Sequence, residues 1–436
     1  MSASTTPRAA PGTTPGAAPV ATARTTARAA PFRRDTPTLM RWLAVGLVVV
    51  GLVTGLVAAQ SFRTAGTALE RAGENAAQLV RVQAVQTALV RADADATNAF
   101  LVGGLEPAAL REDYDEAVGT AGRGITLAAR AQPADGEALA TLTTAVQDYV
   151  GTVALARANN RQGLPVGAQY LRVAGSDLRA DALPVLAVVR DANSERTEAE
   201  LTRVRTAWVP PVVVGLLGLV AVVLASSWLA RRTHRRLNLP LVASGVVLVA
   251  VTVGAAVVLG TAARTVADVR ETSYAAERDL AEARTAAFDA KANESLTLVS
   301  RGSGAAFEEA WVAASDTTEA RLADAAAADS AADGLAAAWT DYADRHREVR
   351  ALDDGGDWEQ AVALATSREP DSPNAAFDAF DERSAAALAD LDARTAAALE
   401  EAGRGIGVAV WLCLLAGVAA AALAQWGLRL RYEEYR

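Results

Sequence analysis

Chemistry-bearing residues are scarce in this sequence. Its 436 residues include one cysteine and two histidines, and aromatic side chains make up 5 %. Cys413 lies in an apolar run, which excludes an internal disulfide and a thiolate metal cluster, and it reads as a small buried apolar side chain. His234 and His346 fall on opposite sides of the membrane inferred below and cannot share a metal. No glycine-rich phosphate loop, HExxH, GxSxG or kinase signature is present. Strand-type aromatic alternation is missing too, so the fold class predicted is all-α, with no catalytic residue, no metal and no cofactor. Close carboxylate pairs do occur, but acid-rich helix surfaces produce them by chance.

Charge is absent from four long runs, residues 39–59, 208–229, 241–262 and 405–428, apart from Arg41 at the flank of the first. About 20 apolar residues cross ~30 Å of hydrocarbon at 1.5 Å per residue, so each run reads as a transmembrane helix. The runs hold Thr54, Ser226, Ser227, Ser244, Thr252 and Gln425 but no ionisable residue at mid-membrane, which weighs against an ion-coupled transporter. Gly51, Gly55, Gly215, Gly218, Gly254 and Gly417 permit close helix packing, and Gly51 with Gly55 forms a GxxxG.

Residues 230–240 make a very short loop between the second and third runs. It carries Arg231, Arg232, His234, Arg235 and Arg236, where the positive-inside bias is read, so the loop is expected in the cytoplasm. That choice puts residues 1–38 and 429–436 inside as well, giving a four-pass plasma-membrane protein with both termini cytoplasmic. Residues 1–59, 230–240 and 429–436 carry 13 arginines against 3 acids, residues 60–207 carry 15 basic against 18 acidic, and residues 261–404 carry 14 against 30. An anionic cytoplasmic leaflet favours this partition. The basic loop is thus the expected cytoplasmic contact, with lipid headgroups first among its partners. Residues 1–38 are rich in Ala, Thr, Pro and Arg and read as a disordered tail.

The outer segments, 60–207 and 263–404, each show helical apolar spacing interrupted by three turns, so each is expected to form an antiparallel four-helix bundle. Pro184 should bend the fourth helix of the first bundle; the stretch 263–299 reads as an uninterrupted helix. Helix lengths imply a two-helix stalk under each head. The halves align at an offset of 193 residues, with Asp148-Tyr149 on Asp341-Tyr342 and Gly163 on Gly356, which points to an internal duplication. The tips farthest from the membrane are the candidate partner-binding residues: Asn160, Arg161 and Gln162 on one, Asp353, Asp354, Asp357 and Trp358 on the other. Calcium at the aspartate turn is not expected, because the EF-hand spacing and its closing glutamate are missing.

Asn98-Ala99-Phe100-Leu101-Val102-Gly103-Gly104, Tyr114-Asp115-Glu116-Ala117 and Gly163-Leu164-Pro165-Val166-Gly167-Ala168-Gln169-Tyr170-Leu171 resemble the extracytoplasmic four-helix-bundle sensors of chemoreceptors and histidine kinases, including the CHASE type. The whole layout is similar to the actinobacterial GlnX-type membrane proteins. That resemblance implies an extracytoplasmic amino-acid-binding protein (GlnH) as one partner and a cytosolic serine/threonine kinase (PknG) as the other. Between the second and third spans there are about ten residues, too few for an output domain, so any output is expected from another protein. The reading is a non-enzymatic sensor or adaptor; the alternatives are a scaffold of the cell envelope and, behind it, a transporter or channel. Nucleic acid is not an expected partner, and homo-oligomerisation is left open.

Overall fold

The computed structural model describes residues 36–102, 106–233 and 238–433, and among them no strand occurs. The expected disordered tail, residues 1–35 of it, lies outside the described residues. The longest element is α1, Thr36–Leu101, whose 66 residues form one helix. With no proline beyond its first turn it rises about 100 Å unbroken.

The first head is built on the far part of α1 with α2 (Ala108–Ala131), α3 (Gly136–Arg161), α4 (Val166–Asp177) and α5 (Leu183–Thr206). Short turns force successive helices to run antiparallel. In α3 the buried residues are Leu139, Leu142, Val146, Tyr149, Val153 and Ala156, alternating steps of three and four that make one apolar seam. These meet Val82, Leu89, Ala121, Ile125, Leu171 and Leu186 in a single core. Between α4 and α5, residues Leu178–Ala182 form a π turn in which the Leu183 N–H reaches Leu178 O. Pro184 follows directly: it has no N–H to give, and a widened turn relieves the clash of its ring with the carbonyl four residues back.

After α6 (Val209–Thr233) and α7 (Leu239–Glu271), the second head is built from α8 (Ser273–Val299), α9 (Ala305–Ala328), α10 (Leu335–Asp354), the short α11 (Trp358–Ala365) and α12 (Pro373–Gly403). Pro373 starts α12 behind Ser372, whose hydroxyl accepts from the Ala375 N–H. Trp339, Tyr342, Phe377 and Phe380 pack edge to face in its core, with ring centroids 5.1 to 6.2 Å apart. Val90 and Ala94 of α1 belong to this second core, so the two heads lie side by side on α1.

Two expectations need correcting. The stretch 263–299 is not one helix: Thr272, at φ −114 and ψ −102, separates α7 from α8. Its hydroxyl donates to Asp268 O at 2.8 Å, and this local side-chain bond offers the backbone an alternative to continuing the helix. Nor do the two helices under the first head, α1 and α5, stand apart from those under the second. Phe62 and Leu69 of α1, Leu201 of α5, Leu259 and Val266 of α7, and Leu399 of α12 share one core, so the stalk is common to both heads.

Among the described residues, four helical runs are long and apolar enough to cross a membrane, and about a third of each apolar window is buried within the protein. The remainder, including Leu217, Val223, Val246 and Leu415, is exposed apolar surface that water would penalise and lipid would cover. Gly51 and Gly55 do meet a partner here. A Cβ on Gly55 would lie 2.7 Å from Gly417 Cα, and one on Gly417 would lie 2.8 Å from Gly55 Cα, so α1 and α13 (Ile406–Glu433) touch backbone to backbone. Ser244 adds a hydrogen bond to Ala420 O at 2.8 Å. Whereas α1 enters this region unbroken, its three companions are jointed at Ala207-Trp208, Thr272 and Arg404-Gly405, the last with Gly405 at φ +78.

Candidate functional site

The two distal turns share one hydrogen-bond pattern. Gly163 N–H donates to Asn160 O and Leu164 N–H to Asn159 O; Gly356 N–H donates to Asp353 O and Asp357 N–H to Leu352 O. Gly163 and Gly356 both sit at positive φ, +69 and +88, where glycine carries no Cβ penalty. Corresponding atoms are 193 residues apart throughout. Behind the matching backbones the side chains differ.

In the second head the predicted tip residues are largely taken up internally. Arg350 bonds Asp353 and Asp354, each at 2.5 Å, and pairs with Glu308 at 3.3 Å. Trp358 donates its indole N–H to Leu298 O at 2.9 Å while Arg301 lies over its ring at 4.1 Å. Asp357 is exposed. Beneath the turn runs a chain of buried charges. Lys291 donates to Glu294 at 2.6 Å, Glu294 meets His346 Nδ1 at 2.8 Å, His346 Nε2 meets Glu308 at 3.3 Å, and Trp311 stacks on the imidazole at 3.7 Å. Burial alone would push the His346 pKa down, but its bonds to Glu294 and Glu308 outweigh that and raise it. Burial would likewise lift Glu294, yet Lys291 and His346 bring it down to about 2. Sequence reasoning missed this chain because charged residues on helices read as solvated.

In the first head, Asn160, Arg161 and Arg157 line a cavity of about 310 Å³ together with Phe100, Tyr114 and Leu171. Gln162 is exposed beside it. Arg157 lies 4.0 Å over the Tyr114 ring and bonds Glu106 at 2.9 Å. Among the described residues, neither its Nε nor the Tyr114 hydroxyl, both buried, has a hydrogen-bond partner. Burial, opposed by the Arg157 charge, pushes the Tyr114 phenol up to about 12, so the hydroxyl keeps its proton. The register of 193 residues that pairs Arg157 with Arg350 was the available signal for this site.

The heads meet through ion pairs. Arg179, in the π turn, bonds Asp93 of α1 at 3.0 Å and Asp289 of α8 at 2.6 Å, and Arg91 of α1 pairs with Asp381 of α12 at 3.5 Å. Arg368 reaches across to Asp113. A second cavity of about 300 Å³ lies in this seam, lined by Arg91, Asp95, Lys291 and Asp378 among others. Burial pushes Asp95 up to about 7, Arg91 opposing and Asp113, Asp378 and Asp381 adding to the rise.

At the opposite end Arg231 is exposed beside Trp42 and Trp228. The side chain of Arg232, and His234, Arg235 and Arg236 entirely, lie outside the described residues. Among the described residues no cluster of histidine, cysteine and carboxylates fits a metal ion.

Helical heads on a stalk that continues into four membrane-length apolar helices, among the described residues, suit a helical membrane protein. A family model described as an actinobacterial sensor domain matches residues 68–202, the first head and its share of the stalk, and supports a sensing role. No curated protein and no solved structure matches the chain.

Proposed function

We propose that the chain is a transmembrane adaptor that relays an extracytoplasmic signal to a cytosolic partner. The observation that carries this reading is the common stalk: Phe62, Leu69, Leu201, Leu259 and Leu399 from both heads interlock in one core that leads into the apolar helices. Close-packed cores shift between discrete arrangements rather than deform smoothly, so a displacement in either head is passed on. One unbroken helix against three jointed ones gives the motion a fixed reference and moving parts.

The basic loop and the basic terminal segments face the cytoplasm in this reading, with the heads outside. The in-step turns and register support an origin of the heads by duplication. An amino-acid-loaded binding protein is the outer partner that the GlnX-type resemblance favours, docking on the distal turns; Asn160, Arg161, Gln162 and Asp357 are the predicted tip residues left to meet it. A serine/threonine kinase is the inner one, and no residue is assigned a catalytic role. Co-purification from membranes of cells grown with and without amino acids tests the relay. Ligand-dependent capture of an outer binding protein and a cytosolic kinase is the expected result. An identical partner set under every condition contradicts it.

A further inference from the structure

We propose that the cavity in the first head is a binding site for a small carboxylate with an apolar body. This deepens the sensing role above, on which its regulatory meaning rests, while the binding itself stands on the geometry of the cavity.

At about 310 Å³ the space lies at the small end of the range for ligand sites. Its lining is part apolar, with Phe100, Val153 and Leu171, and part polar, with Tyr114, Arg157 and Asn160. Tyr114 is only 3 % exposed, yet among the described residues its hydroxyl and the buried Arg157 Nε are left without an acceptor. Leaving a buried donor unpaired costs about 1–3 kcal/mol, and since both atoms are shut off from solvent, a ligand oxygen reaches them only when the Arg157 side chain turns into the cavity. The Arg157 guanidinium stacks 4.0 Å over the Tyr114 ring with Nη2 given to Glu106, and its remaining nitrogens are what a carboxylate would bond.

Charge points the same way. Arg111, Arg157 and Arg161 line the cavity against Glu106 and Asp115, and those two carboxylates are already engaged, Glu106 with Arg157 at 2.9 Å and Asp115 with Arg111 at 3.7 Å. One positive charge is thus uncompensated within the lining. A phosphate would supply the charge but would leave the apolar part of the lining against water. The second head shows what the cavity looks like when the protein fills it. At the register of 193 residues Val153 corresponds to His346, which stacks on Trp311, and Tyr114 corresponds to Phe307, which has no hydroxyl to offer.

The test is calorimetric titration of the full-length protein in detergent with isovalerate, leucine and glutamate, beside isovaleramide and isoamylamine. Saturable binding of at least one carboxylate is expected, with the amide and amine weaker by about tenfold or more. Arg157→Gln should weaken the bound carboxylate by a similar factor and Arg157→Lys by less. Ala154→Trp, at an exposed lining position, should abolish binding without lowering the melting temperature, and it decides the matter if Arg157→Gln does not fold. The proposal is overturned if no carboxylate binds at millimolar concentration, if the amide binds as well as the acid, or if Ala154→Trp leaves affinity unchanged. Absence of binding would remove this site and leave a relay driven by a docked protein standing. Binding that never alters the stalk would remove the relay and leave the site.

Discussion

Each head places an arginine one helical turn before its distal turn, and the two arginines live under opposite conditions. Arg350 is held by Glu308, Asp353 and Asp354 above a core filled by His346 and Trp311. Arg157 has Glu106 alone, an unpartnered Nε among the described residues, and an open space in front of it. The two distal turns thus hold their arginines differently, although among the described residues buried polar atoms without a hydrogen-bond partner occur in both heads, Trp311 Nε1 and the Tyr342 hydroxyl of the second among them.

The contrast should be easiest to break at Glu294. Glu294→Gln leaves Lys291 and His346 without their shared acid inside the second head, and a loss of about 3–5 kcal/mol is expected, read as the thermal unfolding of the solubilised protein. Arg157→Gln should cost no more than about 1–2 kcal/mol, because the partly exposed Glu106 can turn to water. Equal losses would mean that both heads are held in the same way.

A change in the region both heads depend on should lower their stability together. Gly417→Leu drives a side chain into the α1 backbone, and about 1–3 kcal/mol is expected from overpacking, with hydrogen exchange rising in both heads alike. Exchange confined to one head would show that the stalk does not couple them.

Acidity sharpens the comparison further. The folded pKa of His346 is raised, so its contribution is full below the ordinary histidine value and is lost as pH climbs through the raised one. Glu277, pushed up to about 8 by burial and by Asp392, also binds its proton more tightly when folded, and its charge opposes folding as pH rises from the ordinary carboxyl range toward 8. Both effects weaken the second head in alkali. Hydrogen exchange across α8 to α10 should therefore speed up on alkalinisation, after correction for intrinsic rates, more than across α2 and α3. Glu277→Gln should flatten part of that dependence. The smallest effect is expected at Asp354→Asn, an exposed partner of Arg350, at about 0.5 kcal/mol or less in melting experiments.

The membrane runs and helical heads were legible because apolar length and helical period are local properties of a sequence. Gly163 and Gly356 marked their turns because positive φ selects glycine. The filled and open cores were hidden, since they depend on which helix lies beside which. The clearest case is α8, where Glu277, Arg284, Lys291 and Glu294 are buried because the helix is packed both within its own head and against α1. On paper those residues look like a wet surface. Thr272 was hidden for a related reason: a threonine in an Ala-rich run announces no break until its hydroxyl finds a carbonyl of the preceding turn. The GxxxG at Gly51 and Gly55 was visible, but its partner Gly417 lies in the last helix and no local pattern names it.

The central claim, that the stalk carries motion from the heads to the membrane, is tested most directly at its last joint. A Cβ on Gly66 of α1 would stand 3.2 Å from Ile406 Cγ2, just past the Arg404-Gly405 break. With Cys413 replaced by alanine, Gly66→Cys and Ile406→Cys should form a disulfide, and its rate of formation in intact cells can be followed with and without millimolar aspartate, glutamate or glutamine. A rate that changes several-fold with one of these is the predicted result. A disulfide that forms at one rate whatever is supplied would contradict the relay and favour a scaffold of fixed shape.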